Sequence, residues 1–103
     1  MVEWSIPAKE DLKQVHDYIS KDSRFYARKV TEQIVDKSET LNNFPEMGRV
    51  VPEIGDASIR EIFVYSYRLI YEVTNAGVQV LALIHGRRDF PSDKFMTEQM
   101  NRT

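Results

Sequence analysis

Charged side chains set inside strand-forming runs are the residues of this 103-residue chain that could do chemistry. Arg60-Glu61 opens one run, Tyr67-Arg68-Leu69-Ile70-Tyr71 forms the next, and His85-Gly86-Arg87-Arg88-Asp89 closes the third. An ionised group in an apolar strand costs desolvation energy unless it is paired or exposed, so each needs a reason to be there. His85, closing a strand with Arg87 and Arg88 just beyond, carries the imidazole chemistry for proton exchange near neutral pH. It reads equally as a strand terminator bonded to backbone. Arg49 and Glu53 put one charge of each sign in a loop after Gly48, which fits either a partner contact or a brace against Arg60. Glu61 and Glu72 beside Arg68 read as cross-strand ion pairs, each worth under ~1 kcal/mol on a wet sheet face. Tyr67 and Tyr71 read as core aromatics, His16 as a solvated helix residue, and Trp4 as packing against helices.

Composition narrows the function classes. The chain holds no cysteine, which excludes disulfides and thiolate chemistry and fits a reducing, cytoplasmic setting. Two distant histidines, His16 and His85, offer no metal-ligand spacing. Glycine-rich phosphate loops, a nucleophile elbow and paired catalytic carboxylates are missing as well, so neither a cofactor nor a metal is expected. Fourteen basic against 16 acidic residues give a net charge of −2, unlike a general nucleic-acid binder. Arg49, Arg60, Arg68, Arg87 and Arg88 could still form a local basic patch in the sheet half. Met1-Val2-Glu3-Trp4 does not read as a secretory signal, and no apolar run approaches the ~20 residues of a membrane helix.

The elements that must position these residues follow from periodicity. Val2–Ile6 alternates and is short, as an edge strand would be. Pro7 suits a first helical turn, and Ala8, Leu12, Val15 and Ile19 draw one apolar stripe. Lys21-Asp22-Ser23 predicts a turn with Asp22 or Ser23 capping a second helix, whose stripe is Ala27, Val30, Ile34 and Leu41. Two stripes joined so closely predict an antiparallel helical hairpin, ended near Asn43 by Phe44-Pro45. Residues 46–56 read as a loop. Strands are predicted at Ile59–Val64, Tyr67–Val73 and Val78–Ile84. The expectation is one α+β domain over residues 1–90, ordered β-α-α-β-β-β, with both stripes buried on one sheet face. Residues 91–103 read as a tail with room for a short helix.

A two-residue loop at Tyr65-Ser66 sets Tyr67 opposite Val64 and Arg68 opposite Phe63. A turn at 74–77 sets Val73 opposite Val78. Strict alternation then places Tyr67, Leu69, Tyr71, Val73, Val78, Val80, Ala82 and Ile84 on the core face, with small Ala82 admitting a helix. Glu61, Arg68, Glu72, Gln79 and His85 fall on the other face with Phe63, Ile70, Leu81 and Leu83. Arg60 comes out on the core side, near Tyr71, whereas a shift of this hairpin by one residue would bring Arg60 and Arg68 to the same face.

The ordered set of Trp4, Ala8, Asp11-Leu12, Tyr18-Ile19, Leu41 to Pro45, Gly48-Arg49 and Pro52-Glu53 continues through the three charged runs. Over roughly Trp4 to Phe90 it resembles the ParE/RelE superfamily of type II toxin–antitoxin toxins, in its ParE-like branch. The resemblance implies a small toxin on a twisted antiparallel sheet with an N-terminal helical hairpin. It also implies a neighbouring, DNA-binding antitoxin whose flexible segment wraps the toxin in a hetero-oligomeric complex. ParE-like members inhibit DNA gyrase by protein–protein contact, and here Arg49, Arg60, Arg68, His85, Arg87 and Arg88 are candidate target or antitoxin contacts. RelE-like members cut mRNA in the ribosome. For that chemistry the candidates are Glu53 as base, Arg60 and Arg68 as charge stabilisers and His85 as acid. The tyrosine such members carry after the histidine is Gly86 here, and their lysine cluster has no counterpart between Phe44 and Arg60. A third reading is an antitoxin-binding module of weak or no toxicity.

Overall fold

The computed structural model describes residues 2–86. The expected tail, and Arg87 and Arg88, lie outside the described residues.

Strand β1 (Val2–Trp4) leads into helix α1 (Ile6–Ser20), whose first turn is capped by the Ser5 hydroxyl accepting from the Ala8 N–H. Ser23, rather than Asp22, caps helix α2 (Arg24–Glu39) in the same way, accepting from the Tyr26 N–H at 3.1 Å. A cap of this kind satisfies one amide that has no partner inside its helix. A short 3-10 turn at Thr40–Asn42 tightens the end of α2 and buries Leu41 before Pro45 turns the chain away. Strands β2 (Arg49–Val50), β3 (Ile59–Val64), β4 (Tyr67–Thr74) and β5 (Gly77–His85) complete a five-stranded sheet in the order β1-β5-β4-β3-β2. β1 sits at the edge as expected, joined to β5 in parallel, while every other pair is antiparallel. β2 lies in the stretch read as loop, because two residues carry too little periodicity to register.

The hairpin registers agree with the expectation at both turns: Phe63 faces Arg68, Val64 faces Tyr67 and Val73 faces Val78. Between the turns the alternation breaks. Ile70 pairs with Ala82 but Tyr71 pairs with Val80, so Leu81 is an extra residue in β5. A bulge of this kind exchanges the two faces for everything beyond it. Leu83, not Ala82 or Ile84, therefore joins Leu69, Tyr71, Val78 and Val80 beneath the helices. Ala82 and Ile84 join the opposite face, where they pack around Val51, Ile59 and Ile70. His85 moves the other way and pairs with Tyr67 on the helix side.

The main core fills the space between the helical hairpin and one sheet face, with Ala8, Val15, Val30, Ile34 and Leu41 against β3, β4 and β5. Trp4 donates its indole N–H to Ser38 Oγ at 3.2 Å, tying β1 to α2. The loop after β2 covers part of the second face through Val51 and Ile54. Among the described residues no helix is long and apolar enough to cross a membrane.

Candidate functional site

The charges in the strands are not the weak surface pairs that the sequence suggested. Glu61 and Arg68 are buried, at 1% and 5% exposure. Arg68 donates from Nη1 and Nη2 to the two carboxylate oxygens of Glu53, both at 2.9 Å, and from Nε to Glu61 Oε1 at 2.7 Å. Arg49 closes the network by donating from Nε to Glu61 Oε2 at 2.6 Å. Two cations and two anions neutralise one another, and the fork of Arg68 is consumed by carboxylates. The Glu53 hydrogen bonds push the Arg68 pKa up, burial pulls it down, and Glu61 raises it again. Glu72, half-buried, lies further along β4 opposite Ile59 and Gln79.

Arg60 braces the same loop from the other side of the strand. Its Nη1 donates to the Gly48 carbonyl at 2.9 Å and its Nε to the Ala57 carbonyl at 3.0 Å. Tyr71, opposite Arg60, donates its hydroxyl proton to the Pro45 carbonyl at 2.7 Å and accepts from the Gly48 N–H at 3.0 Å. Burial raises the Tyr71 pKa, against the Gly48 hydrogen bond and the charge of Arg60. Gly48 has to be glycine here, since a Cβ would collide with the Glu61 carbonyl and the Tyr71 hydroxyl. The loop charges are thus braces, with Arg68 as the principal post and Arg60 as the second.

The four residues matched to a nuclease do not converge. Glu53 and Arg68 touch, on the face away from the helices. Arg60 is on the helix side, at the end of the β3–β4 hairpin remote from its turn. His85 is on the helix side at the other end, about 13 Å further along the strands and two strands across. There its ring meets Tyr67 edge-on, with centroids 5.8 Å apart.

That end of the molecule holds a cavity of about 600 Å³ between α1, the start of α2, the β3–β4 turn and the end of β5. Tyr18, Tyr26, Tyr65, Tyr67 and His85 line it, with Asp11. Tyr65 takes a left-handed conformation, φ 55°, that disfavours a bulky side chain, yet places an exposed aromatic at the rim. The Tyr67 pKa is raised, first by burial and then by Tyr18 nearby. Asp11 Oδ2 accepts from the Leu83 N–H at 3.0 Å, capping β5 where β1 has ended. Sequence reasoning missed this groove. Its one signal was a carboxylate among the stripe positions Ala8, Leu12 and Val15.

The scaffold is thus a helical hairpin laid on a sheet of this order, with a braced loop beside β3. The sequence profile described as the ParE toxin of the type II toxin–antitoxin system, parDE, matches residues 2–90, and the chain belongs to that family. Its fold is similar to a chain of the chromosomal ParDE toxin–antitoxin system from P. aeruginosa, with a TM-score of 0.69 at 20% identity. That match covers 82% of this chain and 92% of the other. It is also similar to a chain of the YoeB–YefM complex from Staphylococcus aureus, with a TM-score of 0.53 at 16% identity over 82% and 94% of the two chains. No curated protein matches in sequence. The chain is therefore a type II toxin–antitoxin toxin on the ParE/RelE-like fold.

Proposed function

We propose that this toxin inhibits DNA gyrase by protein–protein contact and is neutralised by a cognate antitoxin. One observation carries the choice of target. Arg68, one of the two candidate charge stabilisers, has its fork taken by Glu53 and Glu61, and His85 stands on the opposite face. Cleavage by 2′-hydroxyl attack needs base, charge stabiliser and acid around one phosphate. The described residues do not supply that arrangement. A net charge of −2 also favours a protein target over ribosomal RNA.

The contact surface for gyrase combines the helical hairpin with the sheet exit towards Arg87 and Arg88. Phe25 is 77% exposed on the hairpin, an apolar anchor for a partner. Arg49 lies over the Phe63 ring at 5.5 Å and offers a mixed cationic and aromatic patch on the other face.

Pulse-labelling of DNA and protein synthesis in the first minutes after induction without antitoxin tests the reading. DNA synthesis failing first, with translation continuing, supports gyrase. Translation failing first means ribosome-dependent mRNA cleavage, with Glu53, Arg60, Arg68 and His85 as its candidates. Neither failing leaves an antitoxin-binding module without toxicity.

A further inference from the structure

The tyrosine groove carries chemistry that its role in the fold does not use. Asp11 is half-buried, and among the described residues only one of its carboxylate oxygens has a partner, the Leu83 amide. Among the described residues it makes no ion pair, and no lysine or arginine lines the cavity. Burial raises its pKa more than the Leu83 hydrogen bond lowers it, and Glu10 raises it further. An asparagine would cap Leu83 as well without the cost of a desolvated charge. The same cavity is lined by Tyr18, Tyr26, Tyr65 and Tyr67, whose ring faces attract cations, and by His85, whose ring lies against Tyr67. Tyr18 is 70% exposed and Tyr65 holds an unfavourable backbone conformation, so neither is placed there by core packing. The chain's own Lys21 reaches Tyr18 only at 6.0 Å, the outer limit of such contact.

We infer that this groove receives a single basic side chain, lysine or arginine, from the antitoxin, held by the Asp11 carboxylate and enclosed by the tyrosine rings. This rests on the reading that an antitoxin binds the chain. Charge complementarity selects the occupant: the uncompensated carboxylate lacks a cation, and aromatic walls accept an alkyl stem with a charged head. An acidic or purely aliphatic side chain would leave Asp11 unpaired in a drier site.

The test uses the full chain and the protein encoded beside it, with dissociation constants measured for Asp11→Asn and, as a second variant on an exposed ring, Tyr18→Leu. Asp11→Asn is expected to melt no lower than the wild type yet to bind about tenfold more weakly or worse, since a charged contact is lost. A double-mutant cycle should show that loss vanish when one particular antitoxin lysine or arginine is changed to methionine. Tyr18→Leu should weaken binding through the same basic residue. Wild-type affinity in both variants, or a loss that couples to no lysine or arginine of the antitoxin, overturns the inference while the antitoxin reading stands. Coupling of Asp11 to Arg87 or Arg88 instead would put the chain's own tail in the groove and overturns it too. If the neighbouring protein does not bind the wild-type chain at all, the antitoxin reading falls and takes this inference with it.

Discussion

Arg68 shows how one side chain can decide between a stability role and a chemical one. Its fork is shared between two carboxylates, so removing it takes from Glu61 one of its two cations and from Glu53 its bidentate partner. Arg68→Met is expected to cost roughly 1–3 kcal/mol, read from urea unfolding, because the buried Glu61 loses charged hydrogen bonds and keeps Arg49 alone. Asp11 behaves in the opposite sense. Its pKa is raised in the folded state, so between 3.8 and that raised value the folded form holds its proton more than the unfolded form does. Stability from this group is therefore fully present below 3.8 and lost as pH rises through the folded value. Asp11→Asn removes that loss. Its melting temperature should gain on the wild type as pH is raised from about 3 to 7, and a constant difference would contradict the assignment.

At the scale of elements, the loop around β2 and the β3–β4 turn carry the site. Tyr71→Phe deletes the hydroxyl that accepts from Gly48 and donates to Pro45, leaving a buried amide without its partner. A loss of about 1–3 kcal/mol is expected in equilibrium unfolding. Tyr65→Gly relieves the left-handed residue of the turn and should stabilise the fold by up to about 1 kcal/mol. The same change strips an aromatic from the rim of the groove, so antitoxin affinity should fall as stability rises. Both turns of the sheet were legible because hairpin geometry is local. The bulge at Leu81 was not: nothing in Val80-Leu81-Ala82-Leu83 distinguishes an extra residue from ordinary alternation among apolar side chains. That one residue sent His85 to the helix side and separated it from Arg68.

For the whole molecule, the question is what the braced charge network leaves available to a target. In the gyrase reading Glu53 is a brace, one-quarter exposed, and not a base. Glu53→Gln, which keeps an acceptor for Arg68, should still arrest DNA synthesis when expressed without antitoxin. A nuclease using Glu53 would lose orders of magnitude of cleavage on the same change, since general base catalysis alone contributes about 10²–10⁴-fold. The arrest assay with Glu53→Gln thus separates the two targets on one residue. Its fold should survive, because the second carboxylate of the network, Glu61, remains bound to both Arg49 and Arg68.

Local and periodic physics made two helices, a cap for the second at Asp22 or Ser23, two tight hairpins and an edge strand legible in the chain, and the ordered set of motifs from Trp4 to Phe90 carried the family. What only the tertiary structure decided was which charges meet. Glu53 reaches Arg68 across 15 positions, and Asp11 reaches Leu83 across 72. Such contacts depend on a bulge, a two-residue strand and the seating of α1 on β5, none of which has a signature of its own in the chain. Burial then turned apparent surface pairs into a closed network, because the dielectric around a charge belongs to the packed molecule and not to the residue.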